Sequence, residues 1–208
     1  MTHSFTENYL GDAGDFLLVN RFARRTPWLH GILAEYAGAG LALFVVLIAV
    51  GWWLARRQSS LDRMAAVIWS GIGTLVAVAV NQPIVHAVAE QRPYTSIPNA
   101  LLLVGRSADY GFPSDHATMA GAVATGLLYV NRRLGVLTWC VAVLMAFSRV
   151  YVGAHYPHDV AAGLALGATV IVLGRIVVHP LLRTLLHRLA RTRLRPALIS
   201  TAPAQARV

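Results

Sequence analysis

The run MAAVIWSGIGTLVAVAVNQ, Met64 to Gln82, contains no charged side chain. A helix needs roughly 20 apolar residues to cross about 30 Å of hydrocarbon, so this stretch reads as a membrane span. In lipid, only helices and closed barrels satisfy every backbone N–H and C=O without water. Working outward, four more apolar stretches recur: Ala34 to Leu54 before it, then Ala117 to Asn131, Leu134 to Tyr151 and Val160 to His179. The predicted fold class is all-α, a polytopic bundle of five spans whose third member is short. Asp15 to Leu29 mixes Phe16, Leu17, Leu18 and Phe22 with Arg21, Arg24 and Arg25. It reads as an amphipathic helix lying in the interface, or as a sixth, weakly apolar span.

Composition agrees with a bilayer as solvent. Of 208 residues, 56% are hydrophobic and 13% charged. The net charge is +9 and every basic residue is arginine. A membrane protein places such charge on cytoplasmic loops and anionic headgroups, which makes membrane lipids the expected partner and nucleic acid the weaker reading. The single cysteine, Cys140, lies in an apolar run and reads as a packing residue. Met1 to Asn20 carries Glu7, Asp12 and Asp15 where a cleavable signal would be basic.

Charge also suggests an orientation. Arg56, Arg57 and Arg63 follow the first span, Arg132 and Arg133 follow the third, and Arg183, Arg188, Arg191, Arg193 and Arg195 follow the fifth. The positive-inside rule puts these three segments in the cytoplasm. The alternate loops, Val88 to His116 and Val152 to Asp159, then face outward together; the three arginines near the N-terminus oppose this. Residues 1–182 form the expected membrane domain. Residues 183–208 form a basic cytoplasmic tail, a helix fraying into an Ala/Pro-rich end from Ser200 and anchored on anionic lipid.

Ionisable groups at membrane level are costly, so a cluster of them at span ends calls for a partner. Arg92 follows the second span, Ser114, Asp115 and His116 open the third, and Arg149, His155 and Asp159 join the fourth to the fifth. Arginine's planar fork suits phosphate, although either Arg92 or Arg149 alone reads as a snorkelling interface residue. His155 and Asp159 are four apart with Pro157 placed to start a helix, so the carboxylate can fix the imidazole's tautomer and leave one nitrogen free to attack. The bland alternative is a first-turn aspartate that favours the helix dipole. Ser114 and His116 sit where free helix N–H groups attract an anion; alone, Ser114 and Asp115 would be read as capping. Their joint occurrence on one predicted face favours a phosphoryl site.

The set Arg92-Pro93, Pro113-Ser114-Asp115-His116 and Ser148-Arg149 followed by His155 and Asp159 resembles the three-part signature of the type 2 phosphatidic acid phosphatase superfamily. The motifs cover roughly Gln82 to Val160, and the span pattern covers the whole chain. The resemblance implies a membrane lipid phosphatase in which His155 becomes a phosphohistidine, Asp159 orients it and His116 protonates the leaving group. Arg92, Ser114 and Arg149 would hold the phosphoryl oxygens, with the Asp115 backbone N–H beside them. Two positions depart from the pattern. Val85 stands where the first motif usually has lysine, so one charge is absent or supplied from elsewhere, His86 being the nearest candidate. Asp115 stands where glycine is common, which resembles undecaprenyl-pyrophosphate phosphatases of the bacitracin-resistance type; its charge would repel phosphate unless it points away or helps hold a basic group.

The resemblance implies hydrolysis of undecaprenyl pyrophosphate at the outer face of a bacterial plasma membrane. Phosphatidylglycerophosphate, phosphatidic acid or another polyprenyl phosphate would use the same chemistry, and a silent lipid-binding or transport protein would use the same scaffold. No Cys/His metal spacing and no Gly-rich nucleotide loop occur, so neither metal nor cofactor is expected. His158, beside the dyad but off the motif, reads as a rim residue. Oligomeric state is not legible.

Overall fold

The computed structural model describes residues 3–200, with side chains from residue 13. Among these residues every regular element is helical, with no strand. The helices are α1 (His3–Arg25), α2 (His30–Ala39), α3 (Leu41–Arg57), α4 (Leu61–Val88), α5 (Pro93–Ser96), α6 (Asp115–Leu128), α7 (Arg132–Tyr151), α8 (Pro157–Leu189) and α9 (Arg195–Leu198). Local chemistry sets several boundaries. The Ser60 hydroxyl accepts from Arg63 N to start α4, and the Asn131 side chain accepts from Leu134 N to start α7. Pro157 occupies the first turn of α8, where its missing N–H costs nothing.

Three helical segments are by themselves long and apolar enough to cross a membrane: Leu61–Ser96, Arg132–Tyr151 and Pro157–Leu189. The first expected span, Ala34 to Leu54, lies across a bend of 59° between Pro27–Ala39 and Leu41–Arg57, a pair that reaches spanning length only together. At the bend, a Cβ on Gly40 would meet Tyr36 O at 2.3 Å. The helix at the third expected span, α6, has 14 residues, or roughly 21 Å of rise, and is buried along most of its length. The outer surfaces of α4 and α8 expose Leu75, Ile176, Val177 and Leu181, as lipid-facing helices do. The long helix α8 continues through the 182/183 boundary expected from sequence. The Ala/Pro-rich end beyond residue 200 lies outside the described residues.

The N-terminal helix ends at Arg25 and is followed by a 3-10 turn, Pro27–Leu29. Phe16, Asn20 and Ala23, spaced on one helical face, are buried against the bundle. Asn20 Nδ2 donates to Leu101 O at 2.9 Å, and Leu101 N donates to Asn20 Oδ1 at 3.1 Å. This reciprocal pair pins the long 97–114 loop over the bundle. A second pin is Gly153, whose φ of +81° and closeness to Leu101 O leave no room for a Cβ.

The centre of the bundle is the parallel crossing of α6 and α8, which α7 connects in the chain. A Cβ on Gly167 would lie 2.1 Å from Thr118 O; one on Gly163 would lie 2.6 Å from Ser114 O, and one on Gly121 2.4 Å from Leu164 O. Backbone therefore meets backbone, as small residues permit in membranes. Gly167→Val should lower stability by about 1–3 kcal/mol or more through overpacking, read as a lower thermal-unfolding midpoint in detergent. Gly71→Ala, whose Cβ would meet nothing within 4 Å, should leave the midpoint unchanged or higher; equal midpoints for the two variants would contradict the packing account.

Candidate active site

The crossing brings the N-terminal ends of α6 and α8 together, and Ser114 N donates to Asp159 O at 3.1 Å. The loop from α7 to α8 delivers His155, which is 1% exposed. Its Nδ1 faces Asp159 Oδ2 at 3.3 Å, and its Nε2 faces Arg92 Nη1 at 3.0 Å. A guanidinium can only donate, so Nε2 is the acceptor and the ring proton sits on Nδ1, directed at the carboxylate. The same Oδ2 also accepts from Tyr156 N at 2.8 Å, so one oxygen both caps the first turn of α8 and faces the His155 ring.

Arg92 caps the start of α5 with extended backbone, which turns its side chain inward to 7% exposure. Nη1 also donates to Ala154 O, and the other guanidinium nitrogens meet Asp109: Nε donates to its carbonyl and Nη2 to its carboxylate, each at 3.1 Å. Burial pushes the Asp109 carboxyl up, but the Ser107 hydroxyl and the Arg92 guanidinium outweigh it and hold the group below its ordinary value. Arg149, in the last turn of α7, donates from Nη1 to Ala37 O at 3.2 Å, while its buried Nε has no partner among the described residues. Burial, then the charges of Arg149 and Arg92, push the His155 imidazole well below its ordinary 6.5. The ring is therefore neutral at physiological pH.

Ser114 is fully buried, and its hydroxyl has no hydrogen-bond partner among the described residues. Buried donors without acceptors are rare and costly. Here Ser114 Oγ and Arg149 Nε accompany the free N–H groups of the first turn of α6, a donor set that fits an anion. His116, half-buried on that turn, lies within electrostatic reach of Arg149, His155 and Arg92. Asp115 points the other way. Its Oδ1 accepts from Asn81 Nδ2 at 2.6 Å and from Gln82 Nε2 at 3.0 Å, so the carboxylate ties α6 to α4 while its backbone stays at the helix mouth.

Val85 is buried in α4, so no cation occupies the position where the motif usually has lysine. His86 is exposed on the next position and lines a polar cavity of about 270 Å³ with Arg92, Tyr94, Asp109 and Tyr110. Sequence reasoning missed Asp109, which lies in a loop without periodicity, and Glu90, whose carboxylate meets His158 Nε2 at 3.0 Å. Glu90, His158 and Asp159 are the one group among the described residues with the donor types of a cation site, their ligand atoms all within 4.8 Å of one another.

Residues 65–183 match the PAP2 superfamily. The chain is 34% identical over 132 residues to "Undecaprenyl-diphosphatase BcrC" of Bacillus subtilis, covering 64% of each chain. It is 42% identical over 125 residues to "Decaprenylphosphoryl-5-phosphoribose phosphatase" of Mycobacterium tuberculosis, covering 58% of this chain and 68% of that one. The fold superposes on the crystal structure of the transmembrane PAP2-type phosphatidylglycerolphosphate phosphatase from Bacillus subtilis with a TM-score of 0.55, at 21% identity and 90% coverage of both chains. With its helical bundle and the match over residues 65–183, the chain belongs to the PAP2 superfamily.

Proposed function

We propose that this chain hydrolyses undecaprenyl pyrophosphate to the monophosphate and inorganic phosphate through a phosphohistidine on His155. The observation that carries the reading is the His155 ring: Nδ1 is held by Asp159, and the Nε2 lone pair faces Arg92 within the electrostatic reach of Arg149. Nε2 attacks the terminal phosphorus as the bond to the bridging oxygen breaks. His116 delivers a proton to that oxygen, and the lipid monophosphate leaves. The negative charge of the bound pyrophosphate favours the imidazolium form of His116 that this step needs. Water then gives a proton to His116 and attacks phosphorus, the P–N bond breaks, and His155 returns to the neutral state. Arg92, Arg149, Ser114 and the N–H groups at the mouth of α6 bear the spread charge of a loose phosphoryl transition state.

An apolar cavity of about 640 Å³ between α3, α4 and α6, lined by Leu41, Phe44, Ile48, Val67, Ile72 and Met119, suits a polyprenyl chain. Met119 lies one helical turn from His116, so a tail there would leave its phosphates near the site. Arg56 and Arg57 end α3, and Arg132 and Arg133 begin α7, at the helix termini remote from the site. That asymmetry supports an outward-facing site, where the carrier pyrophosphate would be released. The relative from Mycobacterium tuberculosis, the more similar of the two relatives over its aligned region, favours a second reading in which the substrate is a phosphomonoester on a polyprenyl-linked sugar. Turnover of both lipids side by side separates the two.

In detergent, His155→Ala should abolish phosphate release from undecaprenyl pyrophosphate. His116→Ala should slow it by roughly 10²–10⁴-fold; activity retained by both would refute the mechanism. The depressed His155 keeps the nucleophile neutral below its ordinary 6.5, so lowering the pH through that value should not protonate it. The acid limb of kcat/KM assigned to His155 should therefore lie well below pH 6.5, and a limb at or above that value would contradict the assignment.

A further inference from the structure

The mechanism uses one oxygen of Asp159 and leaves the other to be explained. Oδ2 holds Tyr156 N and faces His155, while Oδ1 is buried with no conventional hydrogen bond. The side chain of the preceding residue lies against it: His158 Nε2 is 3.2 Å from Oδ1. The same nitrogen is 3.0 Å from both carboxylate oxygens of Glu90. One ring N–H thus sits among three carboxylate oxygens, and its direction toward Glu90 explains why the contact to Oδ1 is close in distance but not aligned.

The ring is held by two aromatic neighbours as well as by Glu90. It stacks on Tyr156 at 5.5 Å with planes 14° apart, and Phe112 tilts against it at 5.5 Å. Glu90 is fixed too, following the left-handed Ala89 that ends α4 and accepting Gly111 N on its carbonyl at 2.8 Å. A carboxylate held at one oxygen only can turn about its terminal torsion, which is broad and roughly two-fold. A fixed imidazole against Oδ1 removes that freedom.

We propose that His158, anchored by Glu90, is a positioning residue that holds the Asp159 carboxylate, and through it the His155 imidazole, in the attacking orientation. Polar groups packed behind the orienting carboxylate help set the aim of a working histidine. His158 touches no substrate; its contribution appears in the rate of the attacking step and not in lipid binding. The proposal rests on the phosphohistidine reading above.

The test compares two replacements that divide the properties of imidazole. His158→Gln keeps an N–H near the Nε2 position and loses the stacking; His158→Phe keeps the stacking and loses the N–H. With purified full-length protein and undecaprenyl pyrophosphate in detergent, His158→Phe should lower kcat by roughly 10- to 100-fold with little change in KM. His158→Gln should recover most of that loss, and Glu90→Ala should resemble His158→Phe in its kcat-only effect. The proposal is overturned if His158→Phe keeps the wild-type kcat, which would assign His158 to packing, or if glutamine falls as far as phenylalanine, which would show that the N–H does not carry the effect. A His155→Ala control in the same series reports separately on the underlying reading, since its failure to abolish turnover would defeat that reading and leave a distinct signature.

Discussion

The structure depends on how closely the backbones of α6 and α8 approach. Lipid tails are as apolar as leucine, so helices in a bilayer gain little from hiding apolar surface and must gain from contact itself. Gly121, Gly163 and Gly167 allow that contact, and because the crossing is parallel it brings two helix N-termini to one end of the bundle. Ser114 N bonded to Asp159 O is the clasp of this arrangement. His155 and Asp159 on one side of the clasp, and Ser114 and His116 on the other, are neighbours because the glycines let the helices meet.

Around the clasp, burial and charge act against each other in a useful way. Arg92 and Arg149 are almost fully buried, where unpaired charge would be very costly. Each is only partly satisfied by the protein. Arg92 leans on Asp109, whose side chain is half exposed, and Arg149 holds one backbone carbonyl. Both retain capacity for an anion. Burial first, and then the same two charges, keep His155 neutral, so the groups that would bind phosphate also help preserve the nucleophile that would attack it.

The sequence disclosed the helical class and the motif residues for physical reasons. Hydropathy reads spans directly because the bilayer forbids most alternatives, and the residues of the three motifs lie at helix ends, where caps and prolines mark boundaries. Less was legible where tertiary contact decides. The bend at Gly40 was hidden inside a continuous apolar run, with only the Gly38-Ala39-Gly40 cluster as a signal. The direction of Asp115 depends on Asn81 and Gln82 across the bundle; two polar amides closing an apolar span were the available hint. Asp109 and Glu90 come from segments with no periodicity, so their pairing with Arg92 and His158 needed three dimensions. The N-terminal helix reads as interfacial from its mixed faces, yet Asn20 and its flanking apolar residues bury one face against the protein.

The account stands or falls on covalent transfer to one ring nitrogen. The direct measurement is rapid quenching of the enzyme during turnover of undecaprenyl pyrophosphate labelled on its terminal phosphate, followed by peptide mapping. The account predicts an acid-labile, base-stable label on His155 that is absent from the His155→Ala protein. Turnover that continues with no label on any histidine, or with label on a different residue, would contradict it.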